Sequence, residues 1–315
     1  MRKQSRYTLL AVLAVLVALA VALYLRWKAP PEVARLLPES DAMVYVSLKP
    51  LRAATHFDRT SVARSASYQQ FVDATGIVAE RDLDSAAFAL HRMSNPNGAN
   101  GLVAFSEVFE GRFDHDRLAK YLASAAANKE TYADRTIYAI PSEGRTLRVV
   151  MLGYDMIAAS NMPTPEQIHS IVDRERAGAS PFAGSSLLSA RYSEVPAFSS
   201  IWGIGRIGLP FSEGGRIQVM GMQLPVPADA TFVASLQGFK LKIDEITASD
   251  GDALQSAAAL TQLLGLFQAM QPEARTPEDK AVKQFVDSVK IEQKKSRAEI
   301  TALLPGDALM SAFMH

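Results

Sequence analysis

The sequence contains no cysteine. Disulfide bonds, thiolate metal sites, cysteine nucleophiles and a lipid-attached cysteine are therefore excluded. An exported protein of this size can fold without disulfides, because its core is large enough to be stable without them. Asn-x-Ser/Thr sequons are also absent, so nothing in the sequence indicates N-glycosylation.

Excess charge of either sign is missing as well. Lysine plus arginine number 33 and aspartate plus glutamate number 33, which gives a formal net charge of zero. Proteins that bind nucleic acids usually carry a basic excess, because neutralised phosphates supply much of their affinity. We therefore expect no nucleic-acid partner. Hydrophobic residues make up 48% of the 315 positions, which predicts a substantial packed core.

Familiar catalytic motifs are absent too. The sequence has no G-x-S-x-G, S-x-x-K, H-E-x-x-H or His-x-His pattern. We therefore assign no catalytic, cofactor-binding or metal-binding residues and no cofactor, and we favour a protein that is not an enzyme. Because a catalytic triad is defined by geometry and not by spacing, an enzyme with dispersed catalytic residues stays open as an alternative.

A long uncharged segment lies near the start of the chain. Residues 7–25 form a run of 19 without a charge, and a helix of that length would span roughly 28 Å, close to the hydrocarbon thickness of a bilayer. Tyr7 stands at one end, with Tyr24 and Trp27 at the other, where aromatic rings prefer the headgroup region. The segment predicts a single-pass helix that contacts the lipid bilayer through residues 7–25.

Charges around this segment predict its orientation. Arg2, Lys3 and Arg6 precede it, whereas only Arg26 and Lys28 follow, a bias that favours a cytoplasmic N-terminus. The body would then be extracytoplasmic, held at the inner (cytoplasmic) membrane. The apolar run is longer than a typical signal-peptide core, which favours an uncleaved anchor over a cleaved signal peptide.

A stripe of small residues runs along the same segment. Ala14, Ala18 and Ala22 recur every four residues, a spacing that could let two such helices approach closely. It suggests a homodimer as one further hypothesis, although an alanine-rich span produces this pattern easily by chance.

The rest of the chain predicts an α+β fold. Alternating apolar and polar residues predict strands at 43–49, 85–91, 102–109, 135–140, 147–152 and 156–160, and again around Leu241 and Ile300. Asp114, Thr164-Pro165 and Thr276-Pro277 have the residue types that begin helices. An apolar stretch from Asp252 to Met270 predicts a well-buried helix. We expect antiparallel sheet with helices packed mainly on one face.

These elements suggest a domain organisation. Residues 1–28 would be the cytoplasmic tip and transmembrane anchor, and 29–36 a proline-stiffened linker. A first α+β lobe would cover 37–177 and a second 178–315. The lobes could be duplicates, because Gln70-Phe71-Val72-Asp73-Ala74 and Gln284-Phe285-Val286-Asp287-Ser288 each end a predicted helix that precedes a strand.

Three segments carry a likeness to a known family: residues 37–52, residues 68–76 with 81–84, and Ile157-Ala158-Ala159-Ser160-Asn161. They resemble bacterial single-pass membrane-anchored proteins of unknown function with an α+β extracytoplasmic body. The resemblance covers most of the first predicted lobe and weakens beyond Pro196. It implies the architecture and brings no catalytic residues with it.

One glycine pattern in the sequence has a spacing that is typical of nucleotide-binding loops. Gly203-Ile204-Gly205-Arg206-Ile207-Gly208 has the G-x-G-x-x-G spacing of dinucleotide sites, where the loop opens a helix. Here Leu209-Pro210 follows at once and no helix can begin, so we interpret these glycines as strand and turn residues.

Two polar clusters could support chemistry. Asp114-His115-Asp116 with Glu110 could bind a metal or act as an acid–base group, but the first turn of a helix explains the carboxylates better. His91-Arg92, with Asp82 and Asp84 nearby in sequence, could include a base, but a strand-end histidine on the wet face is the simpler interpretation.

One methionine-containing stretch could form a binding surface. Residues 216–224 would pair with 207–211 as a hairpin across 212–215, and core packing is the simpler role for its methionines. Together these observations predict an extracytoplasmic binding or scaffolding protein of the bacterial cell envelope, with an unidentified envelope protein or ligand as partner. The alternative is an envelope hydrolase with dispersed catalytic residues.

Overall fold

The computed structural model describes most of the body and part of the N-terminal segment. The described residues are 12, 13, 15–17, 19–21, 23, 28–59, 65–95, 101–142, 144–178, 184–206, 212, 213, 216–219, 222–225, 230–270 and 276–305.

Fifteen strands are described. They are β1 (Ala42–Ser47), β2 (Leu83–Arg92), β3 (Val103–Gly111), β4 (Asn128–Tyr132), β5 (Arg135–Ser142), β6 (Arg145–Met151), β7 (Met156–Ser160), β8 (Ile201–Arg206), β9 (Ser212–Glu213), β10 (Arg216–Val219), β11 (Met222–Pro225), β12 (Thr231–Gln237), β13 (Lys240–Ile246), β14 (Lys290–Gln293) and β15 (Arg297–Leu303).

The α-helices of the described body are α1 (Glu32–Leu36), α2 (Leu48–Thr55), α3 (Ala66–Thr75), α4 (Ala79–Asp82), α5 (His115–Ala125), α6 (Glu166–Arg176), α7 (Ser186–Arg191), α8 (Asp250–Met270) and α9 (Pro277–Ser288). Short 3₁₀ turns occur at Phe57–Arg59 and Tyr192–Glu194.

Local sequence explains several helix starts. Asp114 accepts a hydrogen bond from the Arg117 N–H at the start of α5, as predicted. Thr276 and Asp279 form the predicted capping box of α9. The start of α6 differs, because Pro165 occupies the capping position itself and no side chain caps the helix.

Twelve strands form one antiparallel sheet, in the order β14-β15-β13-β12-β8-β1-β2-β3-β7-β6-β5-β4. Strands β9, β10 and β11 form a separate small sheet, inserted between β8 and β12. Because β1 pairs with β8 in the centre of the large sheet, strands from the predicted segments 37–177 and 178–315 are hydrogen-bonded to each other. The α+β class and the antiparallel sheet are confirmed.

The sheet has two faces, defined by alternate residues. The inner face carries the main core, where Met43, Ala87, Val108 and Trp202 pack under helices α1, α6 and α7. The outer face carries the residues between them, such as Val44 and Phe88.

Helices also cover parts of the outer face. Leu118 and Leu122 of α5 pack with Tyr138 and Val149 over strands β5, β6 and β7, and α3 joins the same cluster through Phe71. Leu51 of α2 packs on Leu236 near the C-terminal end of β12. The prediction that helices lie mainly on one face is therefore wrong, because both faces of so wide a sheet are apolar and need cover.

Burial along β1 also does not follow the polarity of its side chains. Met43 is 1% exposed, whereas Val44 is only half-buried, so the more apolar-looking face is the less covered one. Leu48 and Lys49, expected to extend this strand, belong to α2.

Helix α8 is much less buried than predicted. Only Ala253, Ser256 and Ala257 are buried, while Phe267 is 39% and Met270 70% exposed. The helix packs on β15 and β14, and its C-terminal half carries no buried residue. Apart from Asp250 and Asp252 in its first turn, the helix carries no charge, a composition that resembles that of a core helix.

The predicted anchor is described only in part. Residues 12, 13, 15–17, 19–21 and 23 are helical, and Leu16 and Val15 are 56% and 67% exposed. Among the described residues, no helix combines the length and apolar character needed to cross a bilayer. Ala14, Ala18 and Ala22, the predicted dimer stripe, lie outside the described residues.

Candidate functional site

A half-buried apolar surface lies on the outer face of the central strands. Helices α3 and α5 cover the strands on one side, α8 covers β15 and β14 on the other, and α2 closes one end. The surface between them, which we call the central trough, has ten floor residues: Val44, Phe88, Leu90, Phe105, Glu107, Phe109, Gly203, Gly205, Phe232 and Ala234. Phe105 is 37% exposed and the other nine are half-buried.

Strand register shows how the floor is built. Glu107 on β3 lies opposite Phe88 on β2, which lies opposite Val44 on β1. Val44 in turn lies opposite Gly203 on β8, and Gly203 opposite Ala234 on β12. These five residues form one row across five strands, and four strand spacings of about 4.8 Å make the row about 19 Å long.

Two glycines lower the floor in the middle of the trough. Gly203 lies between Val44 and Ala234, and Gly205 lies between Ala42 and Phe232. Because glycine has no side chain, the surface above Gly203 is lower than that of its larger neighbours, whereas at Gly205 the Ala42 Cβ already takes up the space that a side chain would need. A strand glycine costs stability and often marks a place where another group approaches the backbone closely.

Glu107 is the charged residue in this row. The residues opposite it are Phe88 and Ala159, and Phe105 and Phe109 flank it on the same face of β3. Burial raises the pKa of the Glu107 carboxyl. Among the described residues, none hydrogen-bonds to this side chain or forms an ion pair with it.

A second carboxylate lies beyond the opposite side of the trough. Glu245 on β13 is 3% exposed and lies opposite Phe232. Burial raises its pKa, and the hydrogen bond that Ser256 of α8 donates to it at 3.1 Å partly offsets that rise. Glu245 therefore has a partner that fixes α8 to the sheet, whereas Glu107 has none among the described residues.

The glycine motif belongs to this site and not to a nucleotide loop. Gly203 and Gly205 lie within β8, as predicted, and Gly208 lies outside the described residues. The first two glycines are therefore strand residues on the surface of the sheet.

The Asp114 cluster is dispersed by its own local contacts. Asp114 caps α5, and the His115 ring lies 5.1 Å from the ring of Tyr154. Glu110 accepts a hydrogen bond from Ser85 at 2.7 Å on the other face of the sheet. Within the described residues, no group of three or more His, Asp or Glu side chains is arranged to hold a metal ion.

His91 lies in the core and not on the wet face. It is 5% exposed, its Nε2 lies 3.0 Å from Ser106 Oγ, and Ser106 Oγ lies 3.0 Å from Ser160 Oγ. Burial lowers the pKa of His91, although nearby Asp41 and the Glu39 carbonyl oppose this. Both serines are buried, so the three side chains link β2, β3 and β7 inside the protein and are not arranged for catalysis on a substrate.

The neighbouring aspartates have separate partners. Asp82 is bound by Arg81 and by the Val78 N–H; burial alone would raise its pKa, but these bonds lower it. Asp84 pairs with Lys49 at 3.0 Å. The structure therefore does not bring these aspartates, His91 and the Asp114 cluster together in one cleft.

The methionine stretch folds differently from the predicted hairpin. Residues 216–219 pair with 212–213 and with 222–225, so the segment contains two strands itself. Met220 and residues 207–211 lie outside the described residues, and β11 contacts α8.

A groove that no sequence pattern indicates lies between α6 and β4. It has a volume of ≈ 470 Å³, and its lining includes Tyr132, His169, Asp173 and Arg174. The His169 ring stacks on Tyr132 at 3.8 Å and its Nε2 lies 2.8 Å from Glu130, while the Tyr132 hydroxyl donates to Asp173 at 2.9 Å. These contacts pair His169, Tyr132 and Asp173 with neighbouring groups and fasten α6 to the edge strand.

Comparison with known proteins adds little to this geometry. No family model and no curated protein matches the chain. Solved structures of TP0453 align with it: crystal form IV at 10% identity and TM-score 0.46, covering 92% of this chain and 99% of that one. Crystal form III aligns at 9% identity and TM-score 0.46, covering 90% of this chain and 97% of that one. Crystal form I aligns at 10% identity and TM-score 0.43, covering 91% of this chain and 98% of that one.

Proposed function

We propose that this chain is a binding protein of the bacterial cell envelope, tethered to the inner membrane by residues 7–25, whose extracytoplasmic body holds an apolar ligand in the central trough. The observation that carries the proposal is the half-buried apolar floor of the trough, from Phe88 across Val44 and Gly203 to Ala234.

Energetics support a ligand at this position. Each Å² of apolar surface left in water forgoes about 25 cal/mol of stabilisation, and contiguous apolar patches on soluble surfaces usually mark binding sites. Gly203 adds to the cost, since a larger residue there would cover part of the floor and stabilise the strand. A surface that forgoes stability at several neighbouring positions is best explained by a ligand that covers it.

The anchor is supported by the exposed apolar residues of the N-terminal segment. Val12, Leu13, Val15, Leu16 and Val17 are helical and each more than half exposed. A helix that exposes so many aliphatic side chains is stabilised by hydrocarbon around it. Within the predicted linker at 29–36, residues 32–36 form α1 and pack into the main core, so the body would be held close to the bilayer, where apolar ligands are concentrated.

The test is photo-crosslinking of the full chain, reconstituted in vesicles, with a long-chain hydrocarbon probe that carries a diazirine. Peptide mapping reads where the probe reacts, so partition of the probe into lipid does not obscure the result. We expect labels on β8 and β12. Ala234→Phe would fill the trough and reduce that labelling several-fold.

The matched control is Ala127→Phe, the same change at an exposed position outside the trough. It should leave the labelling of β8 and β12 unchanged. Equal labelling of these strands in the wild type and in Ala234→Phe would contradict the proposal.

A further inference from the structure

We propose that the ligand of the central trough is a single-chain amphiphile with an ammonium headgroup, which Glu107 binds while the alkyl chain crosses Phe88, Val44 and Gly203. This inference rests on the proposed function and adds the class of ligand. It is motivated by the position of one carboxylate on an otherwise apolar row of the sheet.

Glu107 supplies the charge that an ammonium group requires. It is half-buried, and no described residue pairs with it. A carboxylate in apolar surroundings without a partner is costly, and a bound cation removes that cost through a charge-assisted hydrogen bond. The raised pKa of Glu107 reflects the same missing partner.

Aromatic rings around Glu107 favour the same headgroup. Phe88 lies opposite Glu107, and Phe105 and Phe109 flank it on the same face of the strand. The rings of Phe88 and Phe109 meet edge to face with centroids 5.8 Å apart. Aromatic faces attract ammonium groups, and a carboxylate among aromatic rings is a common way to bind them.

The dimensions suit one alkyl chain. Three strand spacings of about 4.8 Å separate Glu107 from Gly203, or about 14 Å. One leaflet of a bilayer has a hydrocarbon depth of about 15 Å, half of the whole core. An alkyl chain of membrane length would therefore reach from Glu107 to the open floor above Gly203 and end near Ala234.

An opposite charge lies at the rim. Arg92, the exposed last residue of β2, is on the same face as Phe88 and Leu90. It could attract an anionic headgroup instead, so the test must separate the two. We favour Glu107 as the residue that binds the headgroup, because it lies within the apolar row, whereas Arg92 is exposed to water.

The experiment uses three photoreactive probes with the same long chain and an amine, a hydroxyl or a carboxylate head. The full chain is reconstituted in phosphatidylglycerol vesicles, which contain no ammonium group. Near neutral pH we expect the amine probe to label β8 and β12 at least about fivefold more than the hydroxyl probe, a difference of about 1 kcal/mol. Glu107→Gln should abolish this preference.

Glu245→Gln is the matched control, because it makes the same change at the carboxylate that Ser256 already binds. It should keep the preference for the amine. Equal labelling of the trough by all three probes would overturn the ammonium headgroup and leave the proposed function standing. A preference for the carboxylate probe that Arg92→Ala removes would overturn it as well.

Two further outcomes complete the test. If none of the probes labels the trough, the proposed function itself fails. If a lysine-containing peptide displaces the amine probe more effectively than an unlabelled long-chain amine does, the partner is a peptide and the amphiphile is excluded.

Discussion

Gly205 of β8 faces Ala42 of β1 so closely that a Cβ atom added at position 205 would lie 2.8 Å from the Ala42 Cβ. At Gly203, two residues earlier on the same face, an added Cβ would meet the Met43 carbonyl oxygen at 3.5 Å and Val44 Cγ2 at 3.7 Å, which are ordinary contacts. The two glycines therefore differ in what a side chain would do.

We expect Gly203→Ala to raise the free energy of unfolding by about 0.5–1 kcal/mol, because a strand glycine loses more chain entropy on folding than alanine does. Gly205→Ala should lower it by about 1–3 kcal/mol, since β1 and β8 would be forced apart. Chemical denaturation of both variants measures the difference. Equal effects of the two substitutions would show that the β1–β8 contact is looser than described.

His91 predicts a pH dependence of stability. Burial lowers its pKa in the folded protein below the ordinary value of 6.5, so the unfolded chain takes up the proton first. Stability is therefore lost as the pH falls below about 6.5, by up to about 1.4 kcal/mol per pH unit until the folded-state pKa is reached.

His91→Gln keeps a donor for Ser106 and removes the titration, so its unfolding free energy should decline less than that of the wild type between neutral and mildly acidic pH. His115→Gln makes the same change at the first residue of α5, outside the main core, and is the matched control. Because Glu107 and Glu245 also titrate, the quantity to compare is the change in unfolding free energy with pH in each variant against that in the wild type. An unchanged pH slope in His91→Gln would contradict the buried position of this histidine.

Much of the sheet could be predicted because one face of most strands is more apolar than the other. The strand at 156–160 was predicted with its observed bounds, and those that became β2, β3, β5 and β6 were predicted to within a few residues. Strands β4, β12 and β14 were missed. The sequence of β4, Asn128-Lys129-Glu130-Thr131-Tyr132, is almost wholly polar because it lies at the edge of the sheet.

The trough could not be predicted, because alternation does not reveal which face is covered. In β3, Phe105 is exposed and Ser106 is fully buried, the reverse of what side-chain polarity suggests. The strands that turn this face into one surface come from distant parts of the chain. Glu107 therefore drew no attention in the sequence, and His91 was expected on the wrong side.

Strand order bears on the predicted duplication. From the central pair outward, β1, β2, β3 and β7 follow one another on one side, and β8, β12, β13 and β15 on the other. The matched segments at 70–74 and 284–288, however, lie in α3 before β2 and in α9 before β14. They do not occupy equivalent positions in this order, so the duplication stays a prediction that the four-residue identity does not support.

Helix α8 should tolerate truncation of its outer side chains. Phe267 is 39% exposed near the C-terminal end, whereas Trp202 is 2% exposed in the main core. We expect Phe267→Ala to change the unfolding free energy by less than about 1 kcal/mol and Trp202→Ala to lower it by about 3–5 kcal/mol. A large loss for Phe267→Ala in denaturant titration would mean that this end of the helix is covered in solution.

The last prediction tests the proposed membrane anchor. Leu16 lies in the middle of the uncharged segment and is 56% exposed on its helix. A lysine at the centre of a membrane-spanning helix costs about 2.5–3.5 kcal/mol, against a favourable contribution of about 0.3–0.6 kcal/mol from leucine. Leu16→Lys should therefore shift part of the chain from the membrane pellet to the supernatant after alkaline carbonate extraction. Leu16→Val, which keeps the segment apolar, should stay in the pellet. If the wild-type chain is itself extracted by carbonate, residues 7–25 do not span the bilayer, and the proposed ligand of the trough would have to reach the body without that tether.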